Sequence, residues 1–184
     1  MNDRSIPDLE AVAEGHSKDP LNSQSLHADA YVDPVWFNHE VRTIFARTWQ
    51  WVCHREKVRE AGQYTTAVIA GMPIMVVRTH DELKAFYNVC KHRAHELLQD
   101  EGTTHSIVCP YHAWTYDLGG GLVAARHTSH LPDFELGEIC LDEVQVEEFG
   151  GFVYVNLDLT APSLAEQAGD LGQEIAHWVP DIDQ

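Results

Sequence analysis

The spacing of apolar positions along this chain changes character twice. Residues 1–30 are polar, rich in Asp, Ser, His and Asn, and carry no period, which predicts a flexible N-terminal arm. Beyond Asp33, Pro34 suits a first helical turn, and Phe37, Val41, Ile44, Phe45 and Trp49 recur at helical spacing. The pattern predicts an amphipathic helix over 34–49, inside a helical lead-in of residues 31–60, with its aromatic stripe packed into the core. After Gly62 the period drops to two. Strands are expected at Tyr64–Ala70 and Pro73–Thr79, joined by a hairpin at Gly71-Met72. A second turn at His80-Asp81-Glu82 leads into a third strand, Leu83–Val89, which ends on Cys90. Short strands follow at Ser106–Cys109 and Trp114–Tyr116, then a turn over Asp117–Gly121 (DLGGG). Val144–Phe149 and Phe152–Leu157 alternate cleanly about Gly150-Gly151 and read as a further hairpin. Ser163 with Glu166 three residues on is a capping box that opens a helix. The expected fold is mainly β: an antiparallel β domain over 61–160, flanked by an N-terminal helix and a C-terminal helix beginning in 161–184.

Charge narrows the partners. The formal charge is −17, and residues 131–184 hold thirteen Asp and Glu but no Lys or Arg, the last base being Arg126. Such a surface repels nucleic-acid phosphates and anionic membranes, so neither is expected as a partner. The excess acid reads either as a solubilising surface or as a docking face for a basic redox partner. No apolar run approaches the ~20 residues that span a bilayer. The N-terminus has no apolar h-region, so a secretory signal is not expected and the cytoplasm is the expected location.

The candidate chemistry lies in the cysteines. Four in 184 residues are too few for a secreted disulfide scaffold. Two of them sit beside histidines: Cys90-Lys-His92, sixteen residues, then Cys109-Pro-Tyr-His112. Each loop offers one thiolate and one imidazole. Two Cys on one iron and two His on the other is the donor set of a Rieske-type 2Fe-2S cluster, so Cys90, His92, Cys109 and His112 are the candidate metal-binding and cofactor-binding residues. Pro110 stiffens the second loop. Zinc is the alternative, but its usual spacing pairs Cys with Cys and His with His, whereas both pairs here are mixed. No separate catalytic residue is expected.

With these residues in view, CKHRAHELLQ and CPYHAWTYDLGG resemble the C-x-H-R and C-P-Y-H-x-W signatures of Rieske non-haem iron oxygenases, in the N-terminal cluster domain of their α subunits. The Trp49 region and the EEFGGFVYVNLD hairpin resemble the family's flanks, so the likeness spans roughly 30–180. The family more often has Gly where this chain has Ala94 and Ala113. HRAHELL and CPYHAW are instead similar to the branch that oxidises quaternary ammonium compounds such as betaines, carnitine and choline. The resemblance implies a small Rieske-type β-sandwich with cluster-binding hairpin loops. It also implies electron delivery from an NAD(P)H-dependent flavin/iron–sulfur reductase, a small-molecule substrate and a homotrimer in the intact protein.

In that family dioxygen is activated at a mononuclear Fe(II) held by two His and one carboxylate, in a further C-terminal domain. After Val155 the only histidine is His177, and one His cannot make the site, so that iron is expected in the intact protein and not in this chain. The chain then reads as part of an oxygenase α subunit; the alternative is a stand-alone Rieske ferredoxin that only carries electrons. Respiratory Rieske proteins carry an extra Cys in each cluster loop, joined as a disulfide. Here those places are His95 and Tyr111, so the potential is expected at the low end of the roughly −150 to +300 mV Rieske range. Arg93 is expected either to donate to the cluster or to form a surface ion pair. Tyr111 and Trp114 are expected to pack over the cluster, and His95, His105, His127 and His130 to be surface or hydrogen-bonded histidines. Cys53 and Cys140 are expected to be buried free thiols.

Overall fold

A computed structural model of the chain describes residues 8–126, 128, 130 and 133–182. His127 lies outside them. The chain divides into two compact units, Met1–Ala46 and Arg47–Gln184.

The first unit is helical. It holds α1 (Leu9–Val12), α2 (Asp29–Val32) and α3 (Pro34–Glu40), and α3 continues as a π-helical turn over Val41–Phe45. Asp33 caps α3 by accepting from the Val35 N–H at 2.8 Å, with Pro34 in the first turn where its missing N–H costs nothing. The expected helix over 34–49 therefore ends at Phe45, and Trp49 lies outside it. The expected burial of its stripe is also corrected: Phe37, Ile44 and Phe45 are exposed. Among the described residues of this unit only Val12 is buried.

The second unit is the β domain. Its strands are β1 (Gln50–His54), β2 (Gln63–Ile69), β3 (Met72–Arg78), β4 (Leu83–Tyr87), β5 (Glu101–Thr103), β6 (Ile107–Val108), β7 (Thr115–Tyr116), β8 (Leu122–Ala124), β9 (Glu143–Phe149) and β10 (Phe152–Asn156). Every pairing is antiparallel. Seven strands form one curled sheet in the order β1-β10-β9-β4-β3-β2-β5, and β6-β7-β8 form a second, small sheet. The lead-in is thus not wholly helical: β1 pairs with β10 and belongs to the β domain. The β2–β3 hairpin turns on Ala70 and Gly71, both with positive φ, as a two-residue turn matching strand twist requires.

β3 explains why the sheet supports two cores. It is buried on both faces and reads as a continuous apolar run rather than an alternating one. Ile74 and Val76 point into a core with Cys53, Val58, Ile69, Ala85, Val144, Val153 and Val155, which fills the inside of the curled sheet. Met75 and Val77 point the other way, into a core with Phe86, Leu97, Ile107, Trp114, Tyr116, Leu122 and Leu141. That second core glues the small sheet onto the large one, and Cys90 and Cys109 belong to it. Each fully buried large side chain there contributes about 1.5–3 kcal/mol.

At the C-terminal end, Ser163 and Glu166 form the expected capping box of α4 (Leu164–Ala168). Gly169, at φ 58°, ends that helix, and a separate α5 (Leu171–Trp178) follows. Among the described residues no helix is long and apolar enough to cross a membrane.

Candidate metal centre

Two loops on the second core carry the predicted donors, and their backbones repeat one pattern. In the first, the Cys90 N–H donates to the His95 carbonyl at 2.8 Å, and the Ala94 N–H donates back to the Cys90 carbonyl at 3.0 Å. In the second, the Cys109 N–H donates to the Trp114 carbonyl at 2.8 Å, and the Ala113 N–H to the Cys109 carbonyl at 3.0 Å. The chain is turned in each case by a left-handed alanine, Ala94 at φ 54° and Ala113 at φ 55°. The second loop is the tip of the β6–β7 hairpin. The first is closed more narrowly, by the single antiparallel bridge Val89↔Glu96.

The donors sort by type as well as by loop. Cys90 and Cys109 are 2% and 3% exposed, so the thiols form the floor of the site. The imidazoles stand above them, His92 exposed and His112 partly buried, with ring centroids 4.8 Å apart. Trp114 stacks on His92 at 4.8 Å and 9° between planes, and Tyr111 lies 3.8 Å from the His112 ring. Each imidazole is thereby held by one aromatic partner. His95 and Tyr111, one from each loop, face each other with ring centroids 5.6 Å apart.

The chemistry of these groups fits a bound metal centre. Nδ1 of His112 is buried and has no hydrogen-bond partner, an arrangement that is costly unless its lone pair is used otherwise. Burial, followed by His92, Arg93 and His95, holds the His112 pKa below its ordinary value, which favours the neutral imidazole a metal requires. Burial pushes the Cys109 thiol up, with the Cys90 thiol adding, while the Tyr111 and His112 amides that point at its sulfur act in the opposite sense. A thiolate there needs cationic compensation of the kind a metal supplies. Among the described residues, no three His, Cys, Asp or Glu side chains converge on one ion. The two thiols lie beside each other and the two imidazole rings beside each other, a division by donor type that suits a two-iron cluster.

The profile of the Rieske 2Fe-2S domain matches residues 48–135, which hold both loops and their scaffold. The chain carries a Rieske 2Fe-2S domain. The carnitine monooxygenase oxygenase subunit of Escherichia coli (strain K12) is 36% identical over 178 residues, covering 96% of this chain and 47% of that protein. The chloroplastic choline monooxygenase of Beta vulgaris is 35% identical over 150 residues, 81% of this chain and 32% of that protein. Among solved structures, the apo form of the quaternary ammonium Rieske monooxygenase CntA superposes with a TM-score of 0.80 at 36% identity, covering 84% of this chain and 46% of that one. The chain therefore spans about half the length, or less, of the relatives it matches. Its resemblance to oxygenase subunits of Rieske monooxygenases, and its antiparallel Rieske-type fold, are as the two cluster-loop signatures indicate.

Around these two loops the structure adds groups that the sequence pattern does not single out. The phenol of Tyr116, fully buried, lies 3.3 Å from Cys90 Sγ and accepts from the Lys91 N–H at 3.0 Å. Lys91 Nζ pairs with Asp142 at 2.5 Å and ties the first loop to the segment entering β9. Outside the imidazoles a cleft of about 700 Å³ opens, lined by His92, Arg93, Tyr111, His112, Arg126 and Phe134 among others. Arg93 lines this cleft and makes no ion pair among the described residues. Of the other predicted groups, His95, His105 and His130 are exposed, His95 through an Nδ1–H bond to the Glu96 carbonyl at 2.6 Å. Cys53 is a buried free thiol as expected, but Cys140 is exposed. Cys140 sits at a lone bridge to Gly121, where only one backbone pairing holds it and no core covers its side chain.

Proposed function

We propose that Cys90, His92, Cys109 and His112 hold the Rieske cluster, with the two cysteines on one iron and the two histidines on the other. The observation that carries this reading is the orphaned, buried Nδ1 of His112 above a buried pair of thiols. When bound, the cluster supplies a one-electron couple. The protein's own groups then do the rest. Tyr116 donates to the Cys90 sulfur, Trp114 and Tyr111 fix the two imidazole planes, and the outer imidazole edges face the cleft through which a partner can approach.

The same reading assigns the chain to the electron-accepting part of an oxygenase subunit. Electrons would come from an NAD(P)H-dependent flavin/iron–sulfur reductase and leave toward a mononuclear Fe(II), held elsewhere in the intact protein by two His and one carboxylate. The substrate class is a small quaternary amine of the carnitine, choline or betaine kind, the intact assembly a homotrimer, and the location cytoplasmic. What supports this is the 96% of the chain matched by a carnitine monooxygenase subunit, helical flanks included. We take the cluster domain as residues 61–160 together with β1, with 1–30 as an arm and 161–184 as the lead into the next domain. A free-standing Rieske ferredoxin would not need those helices.

The test is spectroscopic. Anaerobically purified protein should contain two irons and two sulfides per chain and give a Rieske EPR spectrum once reduced. His112→Ala should abolish that spectrum, and zinc in place of iron would overturn the reading. A two-His, one-carboxylate pattern in the coding region after residue 184 separates the oxygenase from the ferredoxin.

A further inference from the structure

The two cluster loops face the same mechanical problem and solve it differently. The neck of the second is closed by a strand pair, Ile107↔Tyr116 and Val108↔Thr115. The first cannot be closed that way. β4, which feeds it, already pairs with β3 on one edge and β9 on the other. Among the described residues, the one strand-type bridge between the chain entering the loop and the chain leaving it is Val89↔Glu96.

Asn88 stands at that neck, two residues before Cys90, and is completely buried. Its Oδ1 accepts from the N–H groups of Leu97 at 3.2 Å and Leu98 at 2.9 Å. Its Nδ2 donates to the Leu98 carbonyl at 2.7 Å and to Glu96 Oε1 at 3.3 Å. Its own N–H donates to the Pro73 carbonyl at 2.8 Å, anchoring it to β3. Both lone pairs of the amide oxygen and both amide hydrogens are used, which fixes the orientation of the group. The backbone of Leu97 and Leu98 thus receives from one side chain the donors and acceptors that a neighbouring strand would have offered. Leu97 is drawn into the same core as Cys90 and Cys109.

We propose that Asn88 is a positioning residue for the metal centre: its side-chain amide replaces the missing strand pair at the neck of the first loop and so fixes Cys90 and His92 against Cys109 and His112. The proposal rests on the reading of those four residues as the cluster ligands. Removing the amide frees the segment 96–98, widens the neck and lets the first pair of donors move relative to the second. A buried residue that only filled core space would lower stability without touching the centre.

The experiment compares four forms of the iron-loaded 184-residue protein: wild type, Asn88→Ala, Asn88→Asp, and Val153→Ala as a destabilised control whose lesion lies in the other core. Two quantities are read, the EPR spectrum of the reduced protein and the rate of iron release to a chelator, measured at a fixed interval below each melting temperature. Val153→Ala should keep the wild-type spectrum and rate. Asn88→Ala should shift the EPR g values and speed iron release about tenfold or more, the scale on which lost outer-shell support weakens metal sites. Asn88→Asp keeps the acceptor oxygen and loses the amide donors, so it should fall between. If Asn88→Ala yields no folded protein, Asn88→Asp decides by the same two readouts. Asn88 variants that melt lower but keep the wild-type spectrum and release rate would overturn the proposal. A wild-type protein with no Rieske spectrum would instead overturn the ligand assignment, so the two failures are distinct.

Discussion

The Tyr116 hydroxyl lies 3.3 Å from the Cys90 sulfur while its oxygen accepts the Lys91 N–H at 3.0 Å. As a proposed cluster ligand Cys90 is a thiolate, which can only accept, so in that state the phenol directs its proton at the sulfur. Burial, followed by the bond to Cys90, raises the Tyr116 pKa, so the donor stays protonated at any working pH. A hydrogen bond to sulfur favours the reduced, more negative centre. Tyr116→Phe should therefore lower the midpoint potential by roughly 40 mV, the one-electron equivalent of a hydrogen bond worth about 1 kcal/mol. A redox titration followed by EPR measures it, and an unchanged potential would show that the phenol does not donate to the cluster.

Ala94 and Ala113 occupy equivalent places in the two loops, four residues after each cysteine, at φ 54° and 55°. L-residues pay about 1–2 kcal/mol for left-handed backbone, and glycine does not. Glycine at these two places would adopt the same backbone without strain. Ala94→Gly and Ala113→Gly should each stabilise the protein by about 0.5–1 kcal/mol, the relief being partly offset by the freer unfolded chain. For a chain of this size each kcal/mol moves the melting temperature by about 2–4 °C, which calorimetry resolves. A lower melting temperature in both variants would mean that the two methyl groups contribute packing that outweighs the strain.

How much of this was legible in the sequence depends on the range of the signal. β2, β3, β4, β9 and β10 lie within a residue or two of their expected limits because alternation and turn residues are local. The two Cys-His loops were legible because they lie on short local motifs, and the structure brings the two thiols together and the two imidazoles together. β5 was not legible: Glu101-Gly-Thr103 is exposed throughout and becomes a strand only because the edge of β2 is free to pair with it. Asn88 and Tyr116 left no signal either, since each acts on atoms supplied by distant parts of the chain. The aromatic stripe of α3 misled for the opposite reason. Its period is helical, but period says nothing about whether a partner is present to cover it.

Gly120 shows how closely the small sheet approaches the large one. It adopts φ 88°, and a Cβ there would lie 2.6 Å from Cε1 of Phe86, a side chain fully buried in the cluster core. Gly120→Ala adds left-handed strain of about 1–2 kcal/mol to an overpacking cost of about 1–3 kcal/mol. The expected loss is roughly 3 kcal/mol, measured by denaturant unfolding. Gly71→Ala is the control, because nothing lies within 4 Å of its Cβ position and only the φ penalty at 80° remains. Equal losses in the two variants would show that Phe86 yields without cost.

The two cysteines outside the metal site should differ sharply in reactivity. Cys53 is 3% exposed, and burial pushes its pKa up to about 11, with Lys57 working in the opposite direction. At pH 8 a thiol of that pKa is about one part in a thousand thiolate, the only form that attacks a disulfide reagent. The thiolate fraction rises about tenfold per pH unit and is still only about one part in a hundred at pH 9, so buried Cys53 should stay slow through pH 9. Cys140 is exposed and open to the reagent. With Cys90 and Cys109 as the proposed cluster ligands, titration of the native iron-loaded protein at pH 8 should show one fast thiol. Cys140→Ser should remove that fast phase, Cys53→Ser should leave it intact, and denaturation with iron removal should release all four thiols of the sequence. A second fast thiol in the native iron-loaded protein would mean either that the core around Cys53 opens readily or that a cluster ligand is free.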